Sequence, residues 1–134
     1  MYNILLIDAN STVQNCMLNA APKISCNITA VTDTYYDEIH ARISLKLLCN
    51  KYRFNFALLN AKLWNYVDGT KIAIALKDSR VPIVAFSENE ELNLKLVALG
   101  AVASINQNKI FKSRGFDIVK LSKEIDKLRG VIKK

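Results

Sequence analysis

The chain has 134 residues, 51% of them hydrophobic, and a formal net charge of +7. That is the length of one domain, able to bury about two-thirds of its unfolded surface without staples and too apolar for disorder. No apolar run approaches the ~20 residues of a membrane span, so no membrane partner is expected. The charge is uneven: from Lys109 onward nine lysines and arginines face Asp117, Glu124 and Asp126, which places +6 of the total in the last segment. Electrostatic attraction to an acidic partner would therefore belong to the C-terminal helix.

The first run, Asn3-Ile4-Leu5-Leu6-Ile7-Asp8, is apolar throughout and ends in an acid. It reads as a buried parallel strand and, with no basic stretch before it, not as a signal peptide. A cytoplasmic location is the resulting expectation. Asn10 or Ser11 can cap a helix that carries Val13, Met17 and Leu18 and reaches about Ala21, where Pro22 stops it. Cys26 to Thr32 alternates as a second strand. Asp33 or Thr34 then caps a longer helix to about Tyr52, with Ile39, Ile43, Leu47 and Leu48 expected to face inward.

Residues 54–60 form the third strand, whose apolar run delivers Asn60 at its carboxyl end. A loop through Trp64-Asn65-Tyr66 could close the crevice above that end or meet a partner. Asp68-Gly69 reads as a turn and helix start, followed by Ile72, Ile74, Ala75 and Leu76. Val81 to Phe86 is a fourth strand ending at Ser87. Glu88, Glu90 and Glu91 suit the positive end of the next helix, and Gly100 ends it. Val102 to Ile105 is a short fifth strand. Phe116 to Ile132 is a last helix, with Ile118, Leu121, Ile125, Leu128 and Ile132 at helical spacing.

Strands alternating with helices predict a parallel sheet covered on both faces within a single domain, residues 1–134. In such a sheet the polar residues at strand ends converge on the carboxyl edge, here Asp8, Asn60, Ser87 and the stretch 106–108. The first strand lacks G-x-G-x-x-G and no Walker lysine occurs, which argues against dinucleotide and P-loop readings. Cys16, Cys26 and Cys49 are odd in number and widely spaced, suggesting neither a disulfide framework nor zinc. His40 has no partner base or nucleophile nearby in the pattern and reads as a surface residue.

At these residues the chain resembles the response-regulator receiver domain. The resemblance rests on residues 4–8, on Asn60 with Lys62-Leu63 and Asp68-Gly69, on 81–87, and on Leu99-Gly100-Ala101. It implies an α/β doubly wound, flavodoxin-like fold with a five-stranded parallel sheet of order 2-1-3-4-5 and five helices. It also implies departures. The paired acids that hold magnesium in the family align with Asp8 and Ala9. The phosphoacceptor aspartate aligns with Asn60. The hydroxyl position is kept as Ser87, the lysine-proline after the fifth strand aligns with Gln107-Asn108, and the aromatic switch in that strand with Ser104.

An amide is a poor nucleophile, and magnesium wants several hard charged oxygens. The loss of the acids together with the cation predicts a pocket of Asp8, Ala9, Asn60, Lys62, Ser87 and Gln107 that does no phosphoryl transfer. No catalytic residue, metal ligand or magnesium is expected. Lys62 is offered as a counter-charge to Asp8, its ammonium standing where the family places the ion. The resemblance implies a protein partner or homodimer on the fourth helix, fifth strand and fifth helix, through Leu94, Val97, Ser104, Lys120, Lys123 and Lys127. The expected role is a non-enzymatic pseudo-receiver in signalling or transcriptional regulation. The alternatives are a nucleic-acid-associated regulator, or part of a DNA-binding response regulator, and a small-ligand sensor using the degenerate pocket.

Overall fold

The computed structural model describes residues 2–31, 35, 37–64 and 67–132. Five parallel strands form the central sheet: β1 (Tyr2–Ile7), β2 (Cys26–Ala30), β3 (Phe56–Leu59), β4 (Ile83–Ser87) and β5 (Ala103–Asn106), in the order β2-β1-β3-β4-β5. The order reverses between β1 and β3, which opens a crevice at their carboxyl ends. Helices α1 (Ser11–Ala20) and α5 (Ile118–Val131) cover one face. Helices α2 (Glu38–Lys51), α3 (Gly69–Lys77) and α4 (Glu90–Ala98) cover the other.

Strand β1 alternates its side chains between two cores. Ile4 and Leu6 pack with Val13, Met17, Leu121 and Ile125, whereas Leu5 and Ile7 pack with Ala41, Leu45, Ile72 and Leu76. That double burial explains the unbroken apolar runs of β1, β3 and β4. Each such side chain contributes about 1.5–3 kcal/mol relative to exposure. Among the described residues no helix is long and apolar enough to cross a membrane.

Local signals set most boundaries. Asn10 caps α1, its Oδ1 accepting the N–H groups of Thr12 and Val13. α1 ends at Ala20, and Pro22 enters a short 3-10 turn, Ala21–Ile24. Gly100, at φ +115°, closes α4: its N–H donates to Val97 O and that of Ala101 to Leu96 O, the paired bonds of a Schellman cap.

Three expectations need correction. α2 begins at Glu38 with Asp37 as its cap, accepting the His40 N–H; Asp33 and Thr34, with the end of the expected second strand at Thr32, lie outside the described residues. The inward face of α2 is Ala41, Leu45 and Leu48, while Ile39, Ile43 and Leu47 face solvent. The helix has two apolar stripes, and the one with the small Ala41 took the sheet. Finally, α5 starts at Ile118, capped by Asp117. Phe116 belongs instead to an antiparallel hairpin, β6 (Phe111–Lys112) and β7 (Gly115–Phe116), where the two phenylalanine rings meet at 5.0 Å.

Candidate functional site: the carboxyl edge of the sheet

Four strand ends bring their polar residues to the crevice. Asp8 follows β1 and is 1% exposed. Its carboxylate is held by three N–H donors from three places. Oδ1 accepts the backbone N–H of Asn10 at 2.8 Å, and Oδ2 accepts Asn60 Nδ2 at 3.1 Å and Gln107 Nε2 at 2.7 Å. The same Gln107 nitrogen donates to Phe86 O at 2.9 Å. The ends of β1, β3, β4 and β5 are thus tied through one carboxylate and two amides.

The amide orientations follow from their other bonds. Asn60 Oδ1 accepts the Lys62 backbone N–H at 2.9 Å, so its NH2 end must face Asp8. Gln107 Nε2 meets two acceptors, as only a donor can.

Burial pushes the Asp8 carboxyl above its ordinary value. The N–H groups of Asn10, Asn60 and Gln107 oppose that shift, and the carboxylate of Glu88 adds to it. Among the described residues Asp8 has no ion-pair partner. Lys62 stands exposed on the rim, engaged through its backbone, and its ammonium does not pair with Asp8.

Asp8, Ala9, Asn60, Lys62 and Gln107 do line one cleft, of about 310 Å³, together with Asn10, Leu63 and Glu88. Ser87 opens onto an adjoining cleft of about 200 Å³, which Asn60, Lys62 and Glu88 also line. The Ser87 hydroxyl is turned to its own chain: it donates to Asn89 O at 3.0 Å and accepts the Asn89 N–H at 3.1 Å.

Sequence reasoning missed three residues here. Buried Asn93 clamps the Ser87 backbone, accepting its N–H at 3.1 Å and donating to its carbonyl at 3.0 Å. Gln14 of α1 donates to Asp8 O and Val31 O, joining the ends of β1 and β2. Glu88 sets a second carboxylate beside Asp8. Only Glu88 left a signal, by standing directly after Ser87.

The side chains at the edge present few oxygens free of N–H bonds to a hard cation. Magnesium needs hard oxygens in near-octahedral array, yet both Asp8 oxygens already accept N–H bonds. Ala9 offers no side-chain oxygen, and Asn60 turns its nitrogen toward Asp8. Among the described residues no group of three His, Cys, Asp or Glu side chains could hold a metal.

The remaining candidates lie elsewhere. Leu94 and Val97 on α4, Val102 just before β5 and Ser104 on β5 are exposed. On α5, Lys120 and Lys127 both lie within 4 Å of Glu124, at 3.7 and 3.1 Å, which engages two of the three lysines within the chain, while Lys123 is exposed. Trp64 packs edge-on against Tyr35 at 5.3 Å and against the α2–α3 core, and is not among the residues that line the cleft; Asn65 and Tyr66 lie outside the described residues. His40 is exposed and bonded to Asp37 at 2.6 Å.

No family model matches the chain, and no curated protein does. Solved structures match over nearly its whole length. The receiver domain of the sensor histidine kinase PA1611 from Pseudomonas aeruginosa PAO1, with a magnesium ion in its active-site cleft, is 18% identical, with 96% of this chain and 98% of that one covered and a TM-score of 0.71. The Vibrio cholerae chemotaxis protein CheY4 is 14% identical over 95% and 98% of the two chains, with a TM-score of 0.70. The receiver domain of the TMAO respiratory response regulator TorR is 13% identical over 99% and 100%, with a TM-score of 0.73. At such identities the likeness is one of architecture: the chain has the receiver fold.

Proposed function

We propose that this chain is a pseudo-receiver, a receiver-fold domain that works by binding a protein partner and accepts no phosphoryl group. The observation that carries this reading is the clamp on Asp8. The residue at the end of β3, where the receiver pattern calls for a carboxylate nucleophile, is Asn60, and its amide is committed to Asp8 and to the Lys62 backbone. Gln107 holds the same carboxylate with a neutral donor. The two amides bind the Asp8 carboxylate with neutral donors and leave Asn60 no carboxylate to offer a phosphoryl group.

The work then falls to the outer surface. The solved structures of this fold include receivers of a sensor kinase and of a respiratory response regulator, which supports a place in signalling. The exposed Leu94 and Val97 of α4, with Val102 and Ser104 at the edge of the sheet, support a protein-binding surface there. The proposal assigns the chain no catalytic step and no magnesium.

The test is exposure to acetyl phosphate or phosphoramidate with magnesium, read by intact-mass spectrometry. Beryllofluoride with magnesium is added in parallel and read by amide NMR. The expected result is an unchanged mass and an unchanged spectrum. A species heavier by one phosphoryl group, or beryllofluoride shifts centred on Asp8 and Asn60, would sink the proposal.

A further inference from the structure

At the C-terminal end of α2 the sheet turns polar where its core rows would continue. Leu5, Ile7 and Val31 enter the core on one face of β1 and β2. The alternate positions that extend those rows toward the strand starts are Asn3, Asn27 and Thr29. Polar residues in a core-facing row mark a place where local sequence departs from the fold's own pattern, which is where functional sites arise. Here they border open space. With Leu48 of α2, its cap Tyr52, and Arg53 and Phe54 beyond it, they line a cavity of about 650 Å³, against about 310 Å³ for the Asp8 cleft. The two lie at opposite ends of β1, since Asn3 is near its start and Asp8 follows its end.

The groups around this cavity say what fits. Asn27 Nδ2 donates to Asn3 Oδ1 at 3.1 Å. Whichever way the two amides are turned, that single bond leaves the pair one NH2 donor and one carbonyl acceptor to spare. Among the described residues the hydroxyls of Thr29 and Tyr52 and the Arg53 guanidinium have no hydrogen-bond or ion-pair partner, and no acid lines the cavity. A spare donor beside a spare acceptor complements the edge of a nucleobase, which offers the same two roles side by side. Leu48 and the Tyr52 and Phe54 rings, the latter two 6.4 Å apart, supply apolar surface for its plane. The carbonyl end of α2 disfavours a bare anion here, whereas exposed Arg53 suits a phosphate carried on the ligand. We propose that this cavity binds a nucleoside 5′-monophosphate, its base edge on Asn3, Asn27 and Thr29 and its phosphate on Arg53. The inference does not depend on the phosphoryl reading above.

Amide NMR titration of the full chain tests it, with the 5′-monophosphates of adenosine, guanosine, cytidine and uridine, each taken to about 5 mM. Inorganic phosphate is the control for charge alone. The expected result is saturable binding of at least one nucleotide with a Kd below about 1 mM. Its shifts should centre on Asn3, Asn27, Thr29, Tyr52 and Arg53, and inorganic phosphate should produce none there. Asn27→Val removes the amide pair and should weaken binding about tenfold or more. Asn27 is exposed on an edge strand that favours valine, so circular dichroism should remain unchanged.

A second variant tests the orientation. Arg53→Gln should weaken the nucleotide about tenfold and leave the matching nucleoside unchanged. No shift with any of the nucleotides, shifts centred on the Asp8 cleft, or an equal response to inorganic phosphate would overturn the site. Undiminished affinity in Asn27→Val would overturn the contact to the base edge. An equal loss for nucleotide and nucleoside in Arg53→Gln would overturn the place given to the phosphate.

Discussion

Asp8 is surrounded by donors, among the described residues, and by no cation. Removing a carboxylate from water costs several kcal/mol in effective terms, and three N–H bonds offset only part of that. Burial therefore wins, and the carboxyl sits above its ordinary value of 3.8. A carboxyl raised in this way holds its proton more tightly in the folded chain than in the unfolded one. Stability then falls as pH rises from 3.8 through the folded value. Asp8→Asn removes the titration while keeping the shape. The stability of the wild type relative to Asp8→Asn should decline as pH is raised through that interval, and flatten above it. Urea midpoints at a series of pH values give this difference; a gap that widens in favour of the wild type would contradict the burial argument. Asp37 and Asp68 move the opposite way, lowered by the His40 backbone N–H and by the Thr70 hydroxyl respectively, and both cancel in the comparison.

At the scale of elements, α3 is fixed at its start by a close approach. The Gly69 N–H donates to Ala61 O at 3.1 Å, and a Cβ on Gly69 would stand 2.5 Å from that same oxygen. Lys62 and Asp68 bridge across this turn, and Asp68 caps the helix through Thr70. No side-chain movement can relieve a clash with backbone. Gly69→Ala should therefore cost about 1–3 kcal/mol, as over-packing does. Gly130, in the last turn of α5, has no atom within 4 Å of its would-be Cβ. Gly130→Ala should instead stabilise by about 0.5 kcal/mol. Chemical denaturation of the two variants reads both signs, and equal effects would mean that contact at Gly69 does not decide. The same scale explains α2: two stripes competed for the sheet, and the loser remained on the surface.

For the molecule as a whole, the central strands belong to both cores at once. Leu5 serves one side and Leu6 the other along a single backbone. The two helical layers should therefore unfold together. Met17→Ala in α1 and Leu76→Ala in α3, both fully buried, should each lower stability by about 2–5 kcal/mol. Each should keep one transition, with Trp64 fluorescence and circular dichroism coinciding. Separate transitions for the two layers would show that the sheet does not couple them.

The alternating apolar runs by themselves determined the strands, their parallel sense and the convergence of Asp8, Asn60 and Gln107 on one edge, because burial on both faces and right-handed crossovers leave few other arrangements. Gly100 and Pro22 marked their turns because φ and a missing N–H are properties of single residues. Tertiary structure alone decided which stripe of α2 faced inward, since both carry the same spacing and only the space above Leu5 and Ile7 prefers Ala41. It also decided that Gln107, ninety-nine positions away, and not nearby Lys62, partners Asp8. A long-range hydrogen bond depends on where strand ends meet, and nothing in local spacing records it. Asn93 and Gln14 escaped notice for that reason: a polar residue in a helix reads as solvated until the backbone it clamps is in place.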